Sequence, residues 1–303
     1  MNRTIPHTLL NNILKFVLIL LSCGSLLRAE ANTMDQLKTN AAKGDAEAEF
    51  SLGKAYANGD GTPKDFNQAV TWYTKAANHG NPKAMNNLGS MYRDGLGVKA
   101  SGPEAMKWYQ MAADKNSAVA QYNLGSMFLR GDHGAPKDSQ KAVDWYKKAA
   151  AQDYTDAQHT LGELYFYGDS GVQKNLTEAF KLLSQTAAKG DVGSQDTLGL
   201  MYEQGLGTKQ DTHVAFLWYT RAAQTGDGKS ECNLGRLYLG GSGVKADPVE
   251  GFKWLILSEQ QGDPVAPHLM ADNQYAITPK QREEAETRAS NFTPQPAVVL
   301  SSK

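Results

Sequence analysis

The stretch Leu88–Ala113, LGSMYRDGLGVKASGPEAMKWYQMAA, decides the fold, because related versions of it recur along the chain. The Leu-Gly pair returns at intervals of 36 or 37 residues, with its glycine at Gly53, Gly89, Gly125, Gly162, Gly199 and Gly235. An aromatic residue stands three positions after each glycine, at Tyr56, Tyr92, Phe128, Tyr165, Tyr202 and Tyr238. A fixed period of this length predicts stacked supersecondary units, and the spacing within the motif predicts the apolar face of a helix.

A second helix follows in each unit. Its large apolar marker residues are Trp72, Trp108, Trp145, Leu182, Trp218 and Trp254. Residues that can cap its N-terminus precede it, at Asp65, Ser101, Asp138, Asn175, Asp211 and Asp247. Residues that tolerate a left-handed backbone follow it, at Gly80, Asn116, Asp153, Gly190, Gly226 and Gly262. Glycine turns join the two helices, as in Gly95 to Gly97, so each unit is predicted to be a helix pair.

The string at 88–113 and its five companions resemble the Sel-one-like repeat (SLR) family, which is related to the tetratricopeptide repeats. The resemblance implies an all-α fold, a right-handed α-solenoid of antiparallel helix pairs whose first helices line a concave face. It also implies an interaction scaffold or adaptor, since the family includes many such proteins and many exported bacterial ones. Some exported relatives carry a cysteine pair in each repeat and are credited with β-lactam binding, but this chain has no such pairs.

The repeats and their flanking sequences predict the organisation of all 303 residues. The predicted segments are a signal peptide at 1–31, an N-terminal half-cap at 32–44, repeats at 45–80, 81–116, 117–153, 154–190, 191–226 and 227–262, C-terminal capping helices at 263–291, and a flexible tail at 292–303. Thr278 to Gln281 places an N-cap, a helix-start proline and a capping-box partner in order. This tetrapeptide predicts the start of the closing helix.

The N-terminus has the features of an export signal. Arg3 and Lys15 precede the apolar run Phe16–Leu27, which is too short to span a bilayer as a helix. Small residues around Ala31 predict cleavage there and a periplasmic or secreted mature protein. Two alternatives stay open: a lipoprotein anchored through acylated Cys23, and an uncleaved anchor.

Composition excludes several classes of function. A net charge of −1 lacks the basic excess of a nucleic-acid binder, and two cysteines cannot form a disulfide framework or a four-thiolate zinc site. Nucleotide-loop, zinc-protease and hydrolase motifs are absent from the sequence. We therefore expect a non-catalytic monomer without cofactor or metal that binds a protein or peptide. The alternatives are a cell-wall or β-lactam-processing enzyme and a secreted host-interaction factor.

Two features could carry chemistry. Asp156, His159 and Glu163 lie on one face of the first helix of the fourth repeat, where they form either a metal or acid–base cluster or a solvated polar face. Cys232 is either a nucleophile or a packed thiol.

The resemblance implies four concave positions in each first helix: six and three residues before the repeat glycine, and one and four after it. The candidate binding residues are Phe50, Lys54, Lys83, Asn86, Arg93, Val119, Tyr122, Leu129, Asp156, His159, Glu163, Phe166, Asp196, Glu203 and Arg236. They predict a groove with a basic N-terminal end, an apolar centre and an acidic section in the fourth and fifth repeats. Exposed aromatic residues beside charges are typical of peptide-anchoring surfaces.

Overall fold

The computed structural model describes residues 34–168 and 171–300, which form helices, turns and two short 3₁₀ segments, with no strand among them. The signal sequence predicted at 1–31, with Cys23, lies outside these residues. No helix in the described ranges is long and apolar enough to cross a bilayer. The chain divides into two compact units, Met1–Asp138 and Ser139–Lys303.

Each repeat consists of two helices. The first helices are α2 (Ala46–Asn58), α4 (Pro82–Asp94), α6 (Ala118–Arg130), α8 (Thr155–Tyr167), α10 (Val192–Gln204) and α12 (Gly228–Gly240). The second helices are α3 (Phe66–Asn78), α5 (Gly102–Asp114), α7 (Ser139–Ala150), α9 (Leu176–Ala188), α11 (Thr212–Ala223) and α13 (Pro248–Gln260). Helix α1 at 34–42 precedes them, and α14 (Ala266–Asp272) and α15 (Pro279–Ser290) follow, with 3₁₀ turns at Asp132–Gly134 and Gln274–Ala276. From α2 to α6 in the first unit and from α7 to α14 in the second, each helix packs on the next in sequence, which confirms the all-α class of stacked helix pairs.

The predicted helix ends are confirmed in detail. Side chains of Asp65, Ser101, Asn175, Asp211 and Asp247 accept hydrogen bonds from first-turn N–H groups of the second helices. All six predicted helix stops have positive φ, and two of them are not glycine: Asn116 and Asp153, both at φ 62°. Apart from glycine, asparagine and aspartate adopt this conformation most readily. They can therefore end the helix at these two positions without a change in the repeat length.

The repeat glycine lets the two helices of a pair come close together. A Cβ atom on Gly199 would lie 2.7 Å from Cε1 of Tyr219, and one on Gly89 would lie 2.6 Å from Cδ1 of Tyr109. Both tyrosines are fully buried. In the fourth repeat Leu183 takes the place of the tyrosine, and a Cβ on Gly162 would lie 2.8 Å from its Cδ2. The residue that follows the marker tryptophan, rather than the tryptophan itself, therefore fills the space opposite the glycine.

Both ends of the repeat array are covered. Met34 and Ala41 of α1 join Leu52 of α2 in one buried cluster, which is the role expected of a half-cap. Helix α15 packs on α13, and Thr278 and Gln281 form the reciprocal capping box predicted from the sequence. Such covers shield the apolar face that a terminal repeat would otherwise expose.

Residues 292–300, the described part of the tail predicted at 292–303, have no regular secondary structure and contact the second unit. Phe292 packs against Trp254 with ring centroids 5.2 Å apart. The N–H of Gln295 donates to the Gln224 carbonyl and the N–H of Leu300 donates to the Ala188 carbonyl, each at 2.7 Å. Gln224 and Ala188 hold equivalent positions at the ends of α11 and α9, so the segment binds carbonyls that the helices leave open.

A buried polar residue stands four positions before the repeat glycine in five repeats. Gln158 Nε2 donates to the Ala150 carbonyl at 3.3 Å, and Gln195 Nε2 donates to the Ala187 carbonyl at 3.1 Å. Glu231 is the equivalent residue in the sixth repeat; it is fully buried, and neither carboxyl oxygen has a hydrogen-bond partner. Burial, aided by the Asp227 carboxylate and opposed by Lys253, raises the pKa of Glu231 to about 7.

We predict that Gly199→Ala destabilises the protein by about 2 kcal/mol, because the methyl group would overlap the buried Tyr219 ring. The matched control is Gly240→Ala at the exposed end of α12, where nothing lies within 4 Å of an added Cβ. There alanine should stabilise by about 0.5 kcal/mol through its helix propensity. Urea unfolding of both variants tests this, and equal effects would contradict the packing argument.

The Glu231 carboxyl predicts a pH dependence of stability. Its pKa is above the ordinary 4.5 in the folded protein, so its contribution is complete below pH 4.5 and is lost as the pH rises to about 7. Glu231→Gln should abolish this loss and add about 2 kcal/mol at pH 8, since an amide can donate to the helix-end carbonyl as Gln158 and Gln195 do. Unfolding curves from pH 4 to 8 measure it. Glu259→Gln, at an exposed position on α13, should leave the profile unchanged.

Candidate interaction surface

The predicted binding residues lie on the first helices, on a surface that we call the first-helix face. It consists of the positions six and three residues before the repeat glycine and one and four after it. We describe this face separately for each of the two units, since α6 belongs to the first and α7 to the second.

In the first unit, two of the three predicted basic residues are paired. Lys83 Nζ lies 2.9 Å from Glu47 Oε1 and 5.6 Å from the centroid of the Phe50 ring. The Arg93 guanidinium makes two hydrogen bonds to its neighbour Asp94, which raise the pKa of Arg93. Lys54 is exposed. The basic end predicted from the sequence is therefore largely neutralised.

The middle of this face in the first unit carries amide and apolar side chains. Asn123 Nδ2 donates to Asn86 Oδ1 at 2.9 Å and joins α6 to α4. Val119 is 41% exposed, whereas Tyr122 and Leu129 are half-buried. The predicted apolar centre is present in this unit, with Val119 as its most exposed member.

In the second unit, side chains of neighbouring first helices form a ladder of polar contacts. Asp196 is 3% exposed and accepts from Lys229 Nζ at 2.7 Å, Asn233 Nδ2 at 2.9 Å and the Ser230 hydroxyl at 3.2 Å. These three residues on α12 hold the Asp196 carboxylate of α10 in place. A buried charge with three donors is a structural element of the repeat interface.

A second rung lies further along the same two helices. Glu203 receives two hydrogen bonds from the Arg236 guanidinium, both at 2.8 Å, and one from the Tyr219 hydroxyl at 3.1 Å. Burial alone would raise the pKa of Glu203, but the Arg236 guanidinium outweighs burial and lowers it. The acidic section predicted around Asp196 and Glu203 is thus compensated by Lys229 and Arg236.

His159 contacts a serine and an aspartate of the next repeat. Its Nδ1 lies 2.9 Å from Asp191 Oδ1 and 2.9 Å from the Ser194 hydroxyl. Both partners meet the same ring nitrogen, whereas a catalytic triad needs the serine on one nitrogen and the carboxylate on the other. Ser194 is also fully buried and accepts from the Thr186 hydroxyl at 2.6 Å. The arrangement holds repeats together and offers no reactive serine.

The pKa values around His159 describe an ion pair. The hydrogen bond that the His159 ring donates to the Asp191 carboxylate raises the pKa of His159. Burial would raise the pKa of Asp191, but hydrogen bonds from His159 and Ser194 lower it to about 2. No group of three or more His, Cys, Asp and Glu side chains in the described ranges could hold a metal ion. Asp156, His159 and Glu163 therefore form a polar face rather than a metal cluster in this structure.

Two residues that the sequence predicts as candidates are buried. Phe166 is 4% exposed and packs with Leu183 and Met201, so it belongs to the core and is corrected as a surface candidate. Cys232 is 6% exposed, and burial together with Asp263 raises the pKa of its thiol to about 11. A protonated, buried thiol is a poor nucleophile.

Sequence reasoning missed Tyr167, the last residue of α8. Its side chain is 55% exposed, and the charges of Glu163, Lys229 and Asp196 act on its hydroxyl. Glu163 is held by a hydrogen bond from Thr197 at 2.9 Å, and Asp156 is exposed. The equivalent positions in the other repeats carry no aromatic residue, so the motif gave no signal for Tyr167.

The side chains of the first-helix face vary from repeat to repeat on a regular stack of helix pairs, which defines an α-solenoid repeat protein. Six segments match the family model described as the Sel1 repeat, at residues 46–81, 82–117, 118–154, 155–191, 194–227 and 228–263. These segments make up well over half of the chain, so the protein belongs to the Sel1 repeat family. Proteins built from these repeats are generally scaffolds for protein interaction.

The chain is also similar to solved structures, the first of which supports this assignment. A Sel1 repeat protein from Oxalobacter formigenes is 32% identical over 82% of this chain and 97% of its own, with a TM-score of 0.63. The protective antigen c5321 of uropathogenic Escherichia coli is 26% identical over 87% of this chain and 72% of its own, with a TM-score of 0.39. The immunity protein Pa5087 of Pseudomonas aeruginosa is 22% identical over 84% of each chain, with a TM-score of 0.40. No curated protein matches the sequence significantly.

The ladder predicts which acidic residues serve stability. Asp196→Ala should destabilise the protein by about 3 kcal/mol, because it leaves Lys229, Ser230 and Asn233 without their shared acceptor. Asp156→Ala, at an exposed position, should change stability by less than about 0.5 kcal/mol. Thermal unfolding of both variants measures the difference. Similar losses in the two variants would show that the ladder does not stabilise the repeat interface.

Proposed function

We propose that the protein is an exported, non-catalytic scaffold that binds a protein or peptide through the first-helix face. The observation that carries the proposal is Tyr167, which lies one position beyond the first-helix face at the end of α8 and is 55% exposed beside Glu163 and Lys229, two members of that face. Tyrosine is among the residues that contribute most to binding energy, since it combines a large apolar ring with a polar hydroxyl. The Sel1 repeats supply the scaffold that presents it.

The ladder supports binding by fixing the surface in advance. Glu163, Glu203 and Arg236 each have a partner on a neighbouring first helix. A partner molecule therefore meets side chains that have already lost their conformational freedom, which lowers the entropy cost of association. Asp156 is exposed and accepts a hydrogen bond from the Tyr154 hydroxyl at 2.9 Å, and its carboxylate can also pair with a cation of the partner.

The arrangement of reactive groups favours a scaffold over an enzyme. His159 binds Ser194 and Asp191 through one nitrogen, and the Cys232 thiol is buried with a raised pKa. Neither group is poised for nucleophilic attack. A monomer that acts by binding alone is consistent with both observations.

Export is supported by the sequence at 1–31, with cleavage near Ala31 and a periplasmic or secreted product. Anchoring through acylated Cys23 is the alternative form of the same proposal. The mass of the N-terminal peptide of the protein isolated from its host distinguishes them. An intact N-terminus in a cytosolic fraction would contradict export in either form.

Photocrosslinking tests the surface. A benzoylphenylalanine at position 167 should crosslink a partner from envelope extracts, whereas the same residue at position 275 should not, although Tyr275 is 93% exposed. Tyr167→Ala should weaken the purified complex about tenfold, because the ring anchors the contact. Crosslinks of equal yield at both positions, or unchanged affinity in Tyr167→Ala, would contradict binding at this face.

A further inference from the structure

The fourth repeat lacks a side chain that the other five possess. Its second helix carries Leu182 where the others carry Trp72, Trp108, Trp145, Trp218 and Trp254. Beside Leu182 lies a cavity of about 440 Å³, which we call the Leu182 cavity. It opens between α7 and α9 on the side of the second helices, and it is separate from the first-helix face.

The surroundings of the tryptophans show what normally fills this place. Trp72 packs against the cluster that contains Ala41 and Leu52, together with Tyr56. In the sixth repeat, Trp254 lies in one cluster with Ala223 and Leu234, against which Tyr238 packs. An alanine of the preceding second helix, the motif leucine and the motif aromatic thus surround the indole in both repeats.

The same three positions line the Leu182 cavity. In the fourth repeat they are Ala150, Leu161 and Tyr165, and all three face the cavity together with Leu182. Leu161 is 3% exposed and Leu182 is 9% exposed, so the floor is apolar and buried. The cavity is therefore lined by the positions that cluster with the indole in the first and sixth repeats.

The charges at its rim resemble those that accompany the tryptophans. Lys75 lies 3.8 Å from the Trp72 ring centroid, Lys148 lies 3.7 Å from that of Trp145, and Arg221 lies 4.6 Å from that of Trp218. Each cation stands three residues after its tryptophan, but Gln185 holds that position in the fourth repeat. The exposed Lys147 and Lys181 line the cavity from α7 and α9 instead. A cation can thus still reach the face of a ring bound there.

We propose that the Leu182 cavity receives a tryptophan side chain of a partner polypeptide, flanked by acidic residues. The apolar floor matches an indole, because the chain itself places indoles on the equivalent residues. The open side leaves room for the backbone that carries the ring. Two lysines and one acid line the rim. Lys181 lies 3.6 Å from the lining residue Glu178, and Lys147 of α7 is the exposed cation that can pair with an acidic neighbour of the bound ring.

The probes are three short peptides with blocked ends: Glu-Trp-Glu, Glu-Leu-Glu and Lys-Trp-Lys. Amide chemical shifts of the full-length protein, recorded during titration with each peptide, give both the affinity and the place of binding. Glu-Trp-Glu should bind at least about tenfold more tightly than either of the others and shift amides around Leu161 and Leu182. Equal affinity for Glu-Leu-Glu, or no binding at millimolar concentration, would overturn the proposal.

Leu182→Trp fills the cavity from within. It should raise the melting temperature by a few degrees, as expected for added apolar burial, and weaken binding of Glu-Trp-Glu at least about tenfold. The matched control is Leu217→Trp, which adds the same side chain at an exposed position of α11 outside the cavity. The control should bind Glu-Trp-Glu as the parent protein does. Full binding by Leu182→Trp would overturn the proposal.

A double charge reversal keeps the proposal testable if Leu182→Trp fails to fold. Lys147→Glu with Lys181→Glu changes exposed side chains and leaves the floor intact. It should reverse the preference, so that Lys-Trp-Lys binds more tightly than Glu-Trp-Glu. An unchanged preference would show that the rim does not contact the ligand. The test is independent of the first-helix face, since crosslinking at position 167 reports on that surface alone.

Discussion

The contact between the repeat glycine and the ring opposite it is the constraint on which the other features depend. With hydrogen in place of a side chain, the first helix approaches the second until the tyrosine ring lies against its backbone, as Gly89 does with Tyr109. This distance sets the depth of each helix pair and leaves the neighbouring tryptophan to pack between successive repeats. Leucine can also stand opposite the glycine: the sixth repeat has Leu255 there and keeps Trp254, whereas the fourth has Leu183, lacks the tryptophan as well, and has a cavity beside the marker position.

The polar contacts between first helices follow from the same regular spacing. Residues one period apart face each other across the repeat interface, so an acid in one repeat can meet a base in the next, as Glu203 meets Arg236. These contacts fix the stacking of repeats. Their side chains would be taken for binding groups if each repeat were considered alone. The rungs engage charged side chains such as Glu203 and Arg236, whereas Tyr167, one position beyond the first-helix face at the end of α8, is 55% exposed.

The sequence was sufficient to predict the helix pairs and their ends, because caps and left-handed stops are local and depend on single residues such as Asp65 or Asn116. It was less informative about the surface. Helical position alone predicts that the Phe166 side chain is exposed, although Met201 of the next repeat packs in the same buried cluster. The partners of His159 lie one repeat further on, so a search for clusters within one helix could not find Asp191 or Ser194. Comparing equivalent positions in adjacent repeats would have suggested these contacts.

The segment 292–300 changes the mechanics of the second unit. A repeat array is held together by contacts between neighbours, so it can normally be peeled apart one repeat at a time. Here one strand of backbone lies across the ends of α11 and α9 and is bonded to Gln224 and Ala188, while Phe292 rests on α13. A pulling force applied through this segment would load those two hydrogen bonds in shear and be shared among three repeats before any single repeat unravelled.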